Sequence, residues 1–281
     1  MRRREDRPGQ RDLEQLAAVR RRAHVRLHCH HQRAGLRVGD PAAPARAVAD
    51  ALAEEACMSG TPSFDAQLAA AYRLNAEIME LLGPPAPGLA SQREHADRAR
   101  RWWNEGGPAM AREREFSIPT GRRELRAVAY EPAAARQAQP AYVYLHGGGF
   151  RMGSPRSNDR MLREIAEAWG GTVVSLDYVH VPEHVFPEAV EDTAAAYAWL
   201  HTHGGQLGID GDRIAFGGSS AGANVALGAA IHLGACRRSY LRAGALVVGV
   251  YDQDDTTESM QRFGGSGFFP TRAGAPQTIE A

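Results

Sequence analysis

Lysine is absent: all 33 basic residues are arginine. That absence excludes a Walker-type phosphate loop, a lysine Schiff base, a Ser-Lys nucleophile pair and the Tyr-x-x-x-Lys pair of short-chain dehydrogenases. There is no excess of either charge, since 33 acidic residues cancel the arginines; the basic footprint of a nucleic-acid binder is therefore missing. Cysteine is scarce. Cys29, Cys57 and Cys236 are an odd number and widely spaced, which excludes a disulfide framework and a zinc ribbon. No apolar run approaches the ~18–20 residues of a membrane span. Arg2, Arg3 and Arg4 are not followed by the apolar core or small-residue cleavage site of a secretory signal, so a cytoplasmic protein is expected. What remains is ordinary globular material, 281 residues with 43% hydrophobic and 23% charged. That is enough for one large domain or one domain with a cap.

The chain divides into three stretches. Residues 1–57 hold twelve arginines, eight acidic residues, four histidines and no aromatic residue; they read as a disordered basic extension. Met58 reads as an internal start, which would place those residues upstream of the native protein. The run His28-Cys29-His30-His31 crowds its candidate ligands and no second pair follows, so it reads as an exposed polar stretch and no metal is expected. Residues 58–112 are helical: Phe64, Leu68, Ala71, Tyr72, Asn75, Ile78, Met79 and Leu82 recur at three-and-four spacing until Gly83-Pro84-Pro85, and a second helix is predicted over Ser91–Asn104. Residues 113–281 open with two strand-like stretches, Glu115–Ile118 and Glu124–Tyr130, then alternate strand, glycine turn and helix. The predicted strands are Tyr142–Leu145, Thr172–Leu176, Arg213–Phe216 and Ala245–Val250. The helices are Asp159–Trp169, Glu188–His203 and Ala221–Leu233. Short apolar strands alternating with helices make an α/β fold, a mostly parallel sheet with helices on both faces and reactive loops at the C-terminal ends of its strands.

Three motifs carry chemistry. Gly218-x-Ser220-x-Gly222 lies directly after an apolar strand and directly before a small-residue helix, the setting of a nucleophile elbow. His146-Gly147-Gly148-Gly149-Phe150 follows a strand, and its bare amides suit a developing oxyanion. Gly147-x-Gly149-x-x-x-Gly153 also has the outline of a dinucleotide loop, but no early strand–loop–helix unit accompanies it, and no cofactor is expected. The third motif, Asp177 to Pro187, contains two prolines before a helix. Within it Glu183 beside His184 reads as a satisfied loop pair, with an acid–base pair as the alternative.

Together these motifs resemble the hormone-sensitive lipase family of α/β-hydrolases, in its bacterial carboxylesterase branch. The family pattern is His-Gly-Gly-Gly-Phe/Trp, Asp-Tyr-Arg-Leu-Ala-Pro-Glu-x-x-Phe-Pro and Gly-Asp-Ser-Ala-Gly-Gly-Asn. The match runs over about residues 63–272, in the right order and with the right gaps. The resemblance implies Ser220 as catalytic nucleophile, Gly147, Gly148 and Ala221 as oxyanion-hole donors, and a helical cap built from residues 63–105. It also implies hydrolysis of short-chain acyl esters without metal or cofactor, the partner being a small-molecule ester. Three departures stand out: Ser219 in place of Asp, Ala223 in place of Gly, and Val179-His180-Val181 in place of Arg-Leu-Ala.

The sequence offers no triad acid or base in the expected order. The hydrolase order is Ser, then Asp or Glu, then His, yet the only histidine after Ser220 is His232, in the elbow's own helix. Asp252, Asp254, Asp255, Glu258 and Glu280 remain with no base to orient. The tail from Arg272 also departs from the family. The chain is expected to end about two strands and two helices early, with an uncovered sheet edge, self-association and impaired activity. The alternative is a non-catalytic small-molecule-binding protein on the same scaffold. A wrongly delimited reading frame would also explain both unusual ends.

Overall fold

In the computed structural model the described residues are 66–134, 138–234, 238–251 and 256–263. The extension 1–57 with its histidine run, Met58 and the tail beyond Arg272 lie outside them. The chain separates into two compact units, Met1–Trp102 and Trp103–Ala281.

In the first unit, helix α1 spans Ala66–Leu82 and α2 spans Leu89–Trp103. Ile78 and Ala99 are buried, with Leu74, Leu82 and Trp102 packed against them, the apolar stripe that three-and-four spacing requires. The Gly83-Pro84-Pro85 stop operates as the sequence predicts. Gly83 takes a left-handed φ of 65°, and its carbonyl accepts a 2.6 Å hydrogen bond from His95 Nε2.

The second unit is a six-stranded sheet. Its strands are β1 (Arg112–Pro119), β2 (Glu124–Glu131), β3 (Gln139–Leu145), β4 (Thr172–Leu176), β5 (Ile209–Ser219) and β6 (Leu241–Val247). The order across the sheet is β1-β2-β4-β3-β5-β6. Helices α3 (Asp159–Trp169), α4 (Glu188–His203) and α5 (Ala221–His232) connect the parallel strands, and α6 (Glu258–Phe263) follows β6. A hairpin turn closed by Thr120 N–H to the Arg123 carbonyl (2.8 Å) makes β1 and β2 antiparallel, and β2 runs antiparallel to β4. The remaining pairs are parallel, as helical crossovers demand.

Each strand of the centre is apolar on both sides because both sides are covered. Ala141, Val143, Leu145, Val174 and Leu176 face Tyr197 and Leu200 of α4 and Val225 and Ala226 of α5. Tyr142, Tyr144 and Val173 share the opposite face with Leu162 and Ala166 of α3. Alternation along β3 thus feeds two separate cores.

Strand limits differ from the sequence reading: β1 begins at Arg112 and β3 at Gln139, each three residues before the predicted start, and β5 and β6 depart further. β5 begins at Ile209, four residues before the predicted Arg213, because Ile209 pairs with Gln139 across a register shift. β6 is Leu241–Val247 instead of Ala245–Val250, because it pairs with β5 from Ile214–Leu241 to Ser219–Val247. In both cases the neighbouring strand sets the limits, not local hydropathy. β6 is also apolar without being buried: like β1 on the other side, it is an edge of the sheet among the described residues, and most of its residues are exposed. No helix among the described residues is long and apolar enough to cross a membrane.

Candidate active site

β5 runs into its turn without slack. Ser219 is its last residue, Ser220 sits at φ 52°, ψ −121°, and α5 begins at Ala221. A positive φ strains any residue with a Cβ and persists only where its surroundings enforce it. Here the enforcement is visible. The Ser220 N–H donates to the Val247 carbonyl of β6 (2.9 Å), and the Ser220 carbonyl accepts from the N–H groups of Ala223 (3.1 Å) and Asn224 (3.2 Å). The flanking glycines permit close approach. A Cβ at Gly218 would lie 2.3 Å from the Leu145 carbonyl oxygen; one at Gly222 would lie 2.2 Å from that same oxygen and 2.4 Å from that of His146. The end of β3 therefore touches the first turn of α5 directly. Ser220 itself remains partly exposed.

The residues after β3 fold against this turn. His146 is fully buried, its ring stacked on Tyr178 with centroids 4.7 Å apart, and its carbonyl accepts from the Tyr178 hydroxyl at 3.0 Å. Gly147 faces the elbow: a Cβ built there would lie 3.0 Å from Ser219 Oγ and 3.4 Å from Ser220 Cβ. Gly148 then turns the chain at φ 155°, and its carbonyl accepts from Arg151 N–H (3.1 Å) and Met152 N–H (3.0 Å). Ala221 opens α5, where an N–H has no acceptor within the helix. The structure thus sets Gly147 against Ser220, with Gly148 and Ala221 the next residues along each segment. The positive end of α5 lies at the same point.

The third motif braces the second. Val181 N–H donates to the Phe150 carbonyl (3.0 Å), and Asp177 N–H to the Arg126 carbonyl (2.9 Å). His184 is held by residues outside its own loop. Its Nδ1 lies 2.6 Å from Arg123 Nη1 and 3.2 Å from Glu188 Oε2, one helical turn on. Arg123 also pairs with Glu188 and, at 3.0 Å, with Asp192, a carboxylate 1% exposed. The Arg123 guanidinium holds the Glu188 carboxyl below its ordinary range. Where the family pattern places an arginine inside the loop, this chain has Val179, and an arginine from the β1–β2 turn reaches the loop instead.

Two tyrosines of β3 beside the site carry no sequence signal, whereas Asn224 is the last residue of the elbow motif. The Tyr144 hydroxyl donates to Ser219 Oγ at 2.9 Å, and Asn224 Nδ2 donates to the Val250 carbonyl at 2.6 Å. The Tyr142 hydroxyl donates to the Ala245 carbonyl at 3.1 Å; burial pushes that phenol well above its ordinary value, so it stays a neutral donor. Tyrosines in an apolar strand read as core, which these also are.

Among the described residues no imidazole is hydrogen-bonded to the Ser220 hydroxyl. His232 ends α5, about 18 Å along the axis from the elbow. His146 turns its Nδ1 to the Gly147 carbonyl at 3.2 Å. Nor do the described residues include a cluster of histidine, cysteine or carboxylate side chains that could hold a metal ion. The constellation offers a hydroxyl on a strained, accessible turn facing bare amides and a helix N-terminus. It suits addition to a carbonyl and stabilisation of the resulting anion.

Comparison with known proteins finds α/β-hydrolases and esterases. Residues 142–279 match a family described as having the alpha/beta hydrolase fold. An acetyl esterase of Salmonella choleraesuis is 34% identical over 188 residues, covering 65% of this chain and 56% of the relative. A hyperthermophilic esterase from the archaeon Pyrobaculum calidifontis superposes with a TM-score of 0.64 at 30% identity, over 69% of this chain and 64% of the other. A thermophilic carboxylesterase cloned from a metagenomic library gives 0.62 at 30% identity, over 69% and 66%. The chain spans little more than half the length of the curated relatives it matches.

Proposed function

The chain belongs to the α/β-hydrolase fold family, in its hormone-sensitive-lipase-like group, and on that premise we propose that it acts as a serine carboxylesterase on short-chain acyl esters. Ser220 Oγ adds to the ester carbonyl, and the tetrahedral oxyanion collapses with loss of the alcohol. Water then hydrolyses the resulting acyl-enzyme. The N–H groups of Gly147, Gly148 and Ala221 stabilise the oxyanion; one such donor is worth roughly 100–1000-fold in rate. The observation that carries this reading is the strained Ser220, at φ 52°, with Gly147 packed against it. A short acyl group is favoured by the acetyl esterases among the relatives.

The serine still needs a proton acceptor, and no histidine follows His232 in this sequence. An external base supplies the test. The 281-residue chain is incubated with p-nitrophenyl acetate and imidazole, and intact-mass spectrometry with peptide mapping locates the label. The expected result is one acetyl group on Ser220, formed faster as imidazole rises and lost in Ser220→Ala. An unmodified Ser220 in a folded protein that small esters nevertheless stabilise against heat would sink the enzymatic reading and favour a binding protein.

We infer in addition that the chain associates with itself through β6. Val247 at the end of β6, and Val248 and Tyr251 just beyond it, are 55%, 78% and 50% exposed, and the outer edge of β6 is unpaired among the described residues, the arrangement that templates edge-to-edge pairing. Light scattering should report a mass that grows with protein concentration, and Val247→Lys with Val248→Lys should reduce it. A monomer at every concentration would refute this.

A further inference from the structure

A cavity of about 250 Å³ opens on the β1–β2 pair, lined by Glu115, Ser117, Arg126, Val128 and Pro155 among others. Its chemistry follows from register. Glu115 is opposite Val128 and Ser117 opposite Arg126, and cross-strand partners project from the same face. The Glu115 carboxylate is already matched, 2.9 Å from the Arg156 guanidinium. Arg126 is the opposite case. It makes no side-chain hydrogen bond or ion pair among the described residues, whereas Arg114, Arg122, Arg123 and Arg156 nearby each hold a carboxylate. Ser117 likewise has its hydroxyl uncommitted among the described residues.

We infer that this cavity is a binding site for a short-chain aliphatic carboxylate. Arg126 offers a planar fork that grips a carboxylate through two parallel N–H···O bonds, and the Ser117 hydroxyl adds a third donor. Val128 and Pro155 are apolar residues of the lining. The fixed charge of Glu115 selects a monoanion over a dianion. The site lies at the same end of the sheet as Ser220: the Arg126 carbonyl accepts from Asp177 just past β4, and Pro155 follows the glycine loop. It is nevertheless separate from the elbow, because β4 and β3 stand between β2 and β5, a displacement of about 14 Å at the usual strand spacing. Such a ligand has the chemistry of the acid released in the proposed reaction, so the inference rests on that reading for its biological meaning but not for its test.

The test uses the Ser220→Ala chain, in which no turnover at Ser220 can contribute. Hexanoate is titrated and followed by saturation-transfer difference NMR and calorimetry. The expected result is saturable binding, weakened at least tenfold by Arg126→Met and unaffected by Arg112→Met, an exposed arginine of β1 outside the cavity. Hexanamide, the same size without the charge, should bind at least tenfold more weakly. Equal binding of hexanoate by the Arg126→Met protein, equal binding of hexanamide, or no saturation would overturn the inference. Circular dichroism of both arginine variants separates lost binding from lost fold.

Discussion

A polypeptide of these 281 residues is expected to turn over p-nitrophenyl butyrate about a million-fold more slowly than a serine esterase with its base in place. The members of a catalytic triad act as a unit. Once the proton acceptor is missing, the hydroxyl stays protonated at neutral pH and its removal adds little further loss. Ser220→Ala should therefore change the residual rate by less than about tenfold. What survives is the share of catalysis owed to oxyanion stabilisation and binding, roughly a thousand- to ten-thousand-fold over water. Stopped assays against a no-protein blank measure both values. Fast turnover abolished by Ser220→Ala would mean that some residue does serve as base, and that result would discard the account of the elbow as unassisted. This experiment and the imidazole test are complementary. The first measures what the chain does alone; the second asks whether Ser220 reacts once a base is supplied.

Replacement of Gly222 by alanine should destabilise the second unit by about 3 kcal/mol. The new methyl group would lie 2.2 Å from the Leu145 carbonyl oxygen and 2.4 Å from that of His146. Neither atom is the end of a flexible side chain: both belong to the backbone that leaves β3 for the glycine loop. Relief requires α5 and β3 to separate, and that separation uncovers buried Val225 and Ala226. The melting temperature should fall by roughly 6–12 °C, at about 2–4 °C per kcal/mol for a domain of this size. Gly205→Ala is the control, because a Cβ there meets nothing within 4 Å and its φ is not in the left-handed region. Its melting temperature should stay within about 2 °C of the parent. Equal effects of the two substitutions would mean that the contact between β3 and α5 is looser than the structure has it.

The elbow, the glycine loop and the crossover helices were legible because each is a local pattern. Gly218-x-Ser220-x-Gly222 compresses strand end, turn and helix start into a few consecutive residues, and no neighbour is needed to recognise them. Predicted α3 and α4 match the observed Asp159–Trp169 and Glu188–His203, where a glycine directly after each helix marks its end. The strand limits of β5 and β6 were not legible. Pairing with β3 and β5 respectively extended or shifted them, and a partner strand leaves no trace in local hydropathy. The arginine that braces the Asp177–Pro187 loop also escaped notice. Arg123 and His184 are 61 residues apart, and an arginine in a hairpin turn carries no mark of its destination.

By itself the sequence determined which chemistry is on offer: a serine between close-packing glycines, a run of bare amides after a strand, and no lysine for the competing mechanisms. Those follow from residue type and short spacing, which survive any arrangement of the rest. Only the tertiary structure decided that Gly147 lies against Ser220, that Tyr144 holds Ser219 and that β6 is an edge. It alone decided that Arg126 is the arginine of its neighbourhood left open over a cavity. The reason is physical: sheet order and register bring together side chains remote in the chain, and packing between layers, not periodicity within a segment, selects which polar groups find partners.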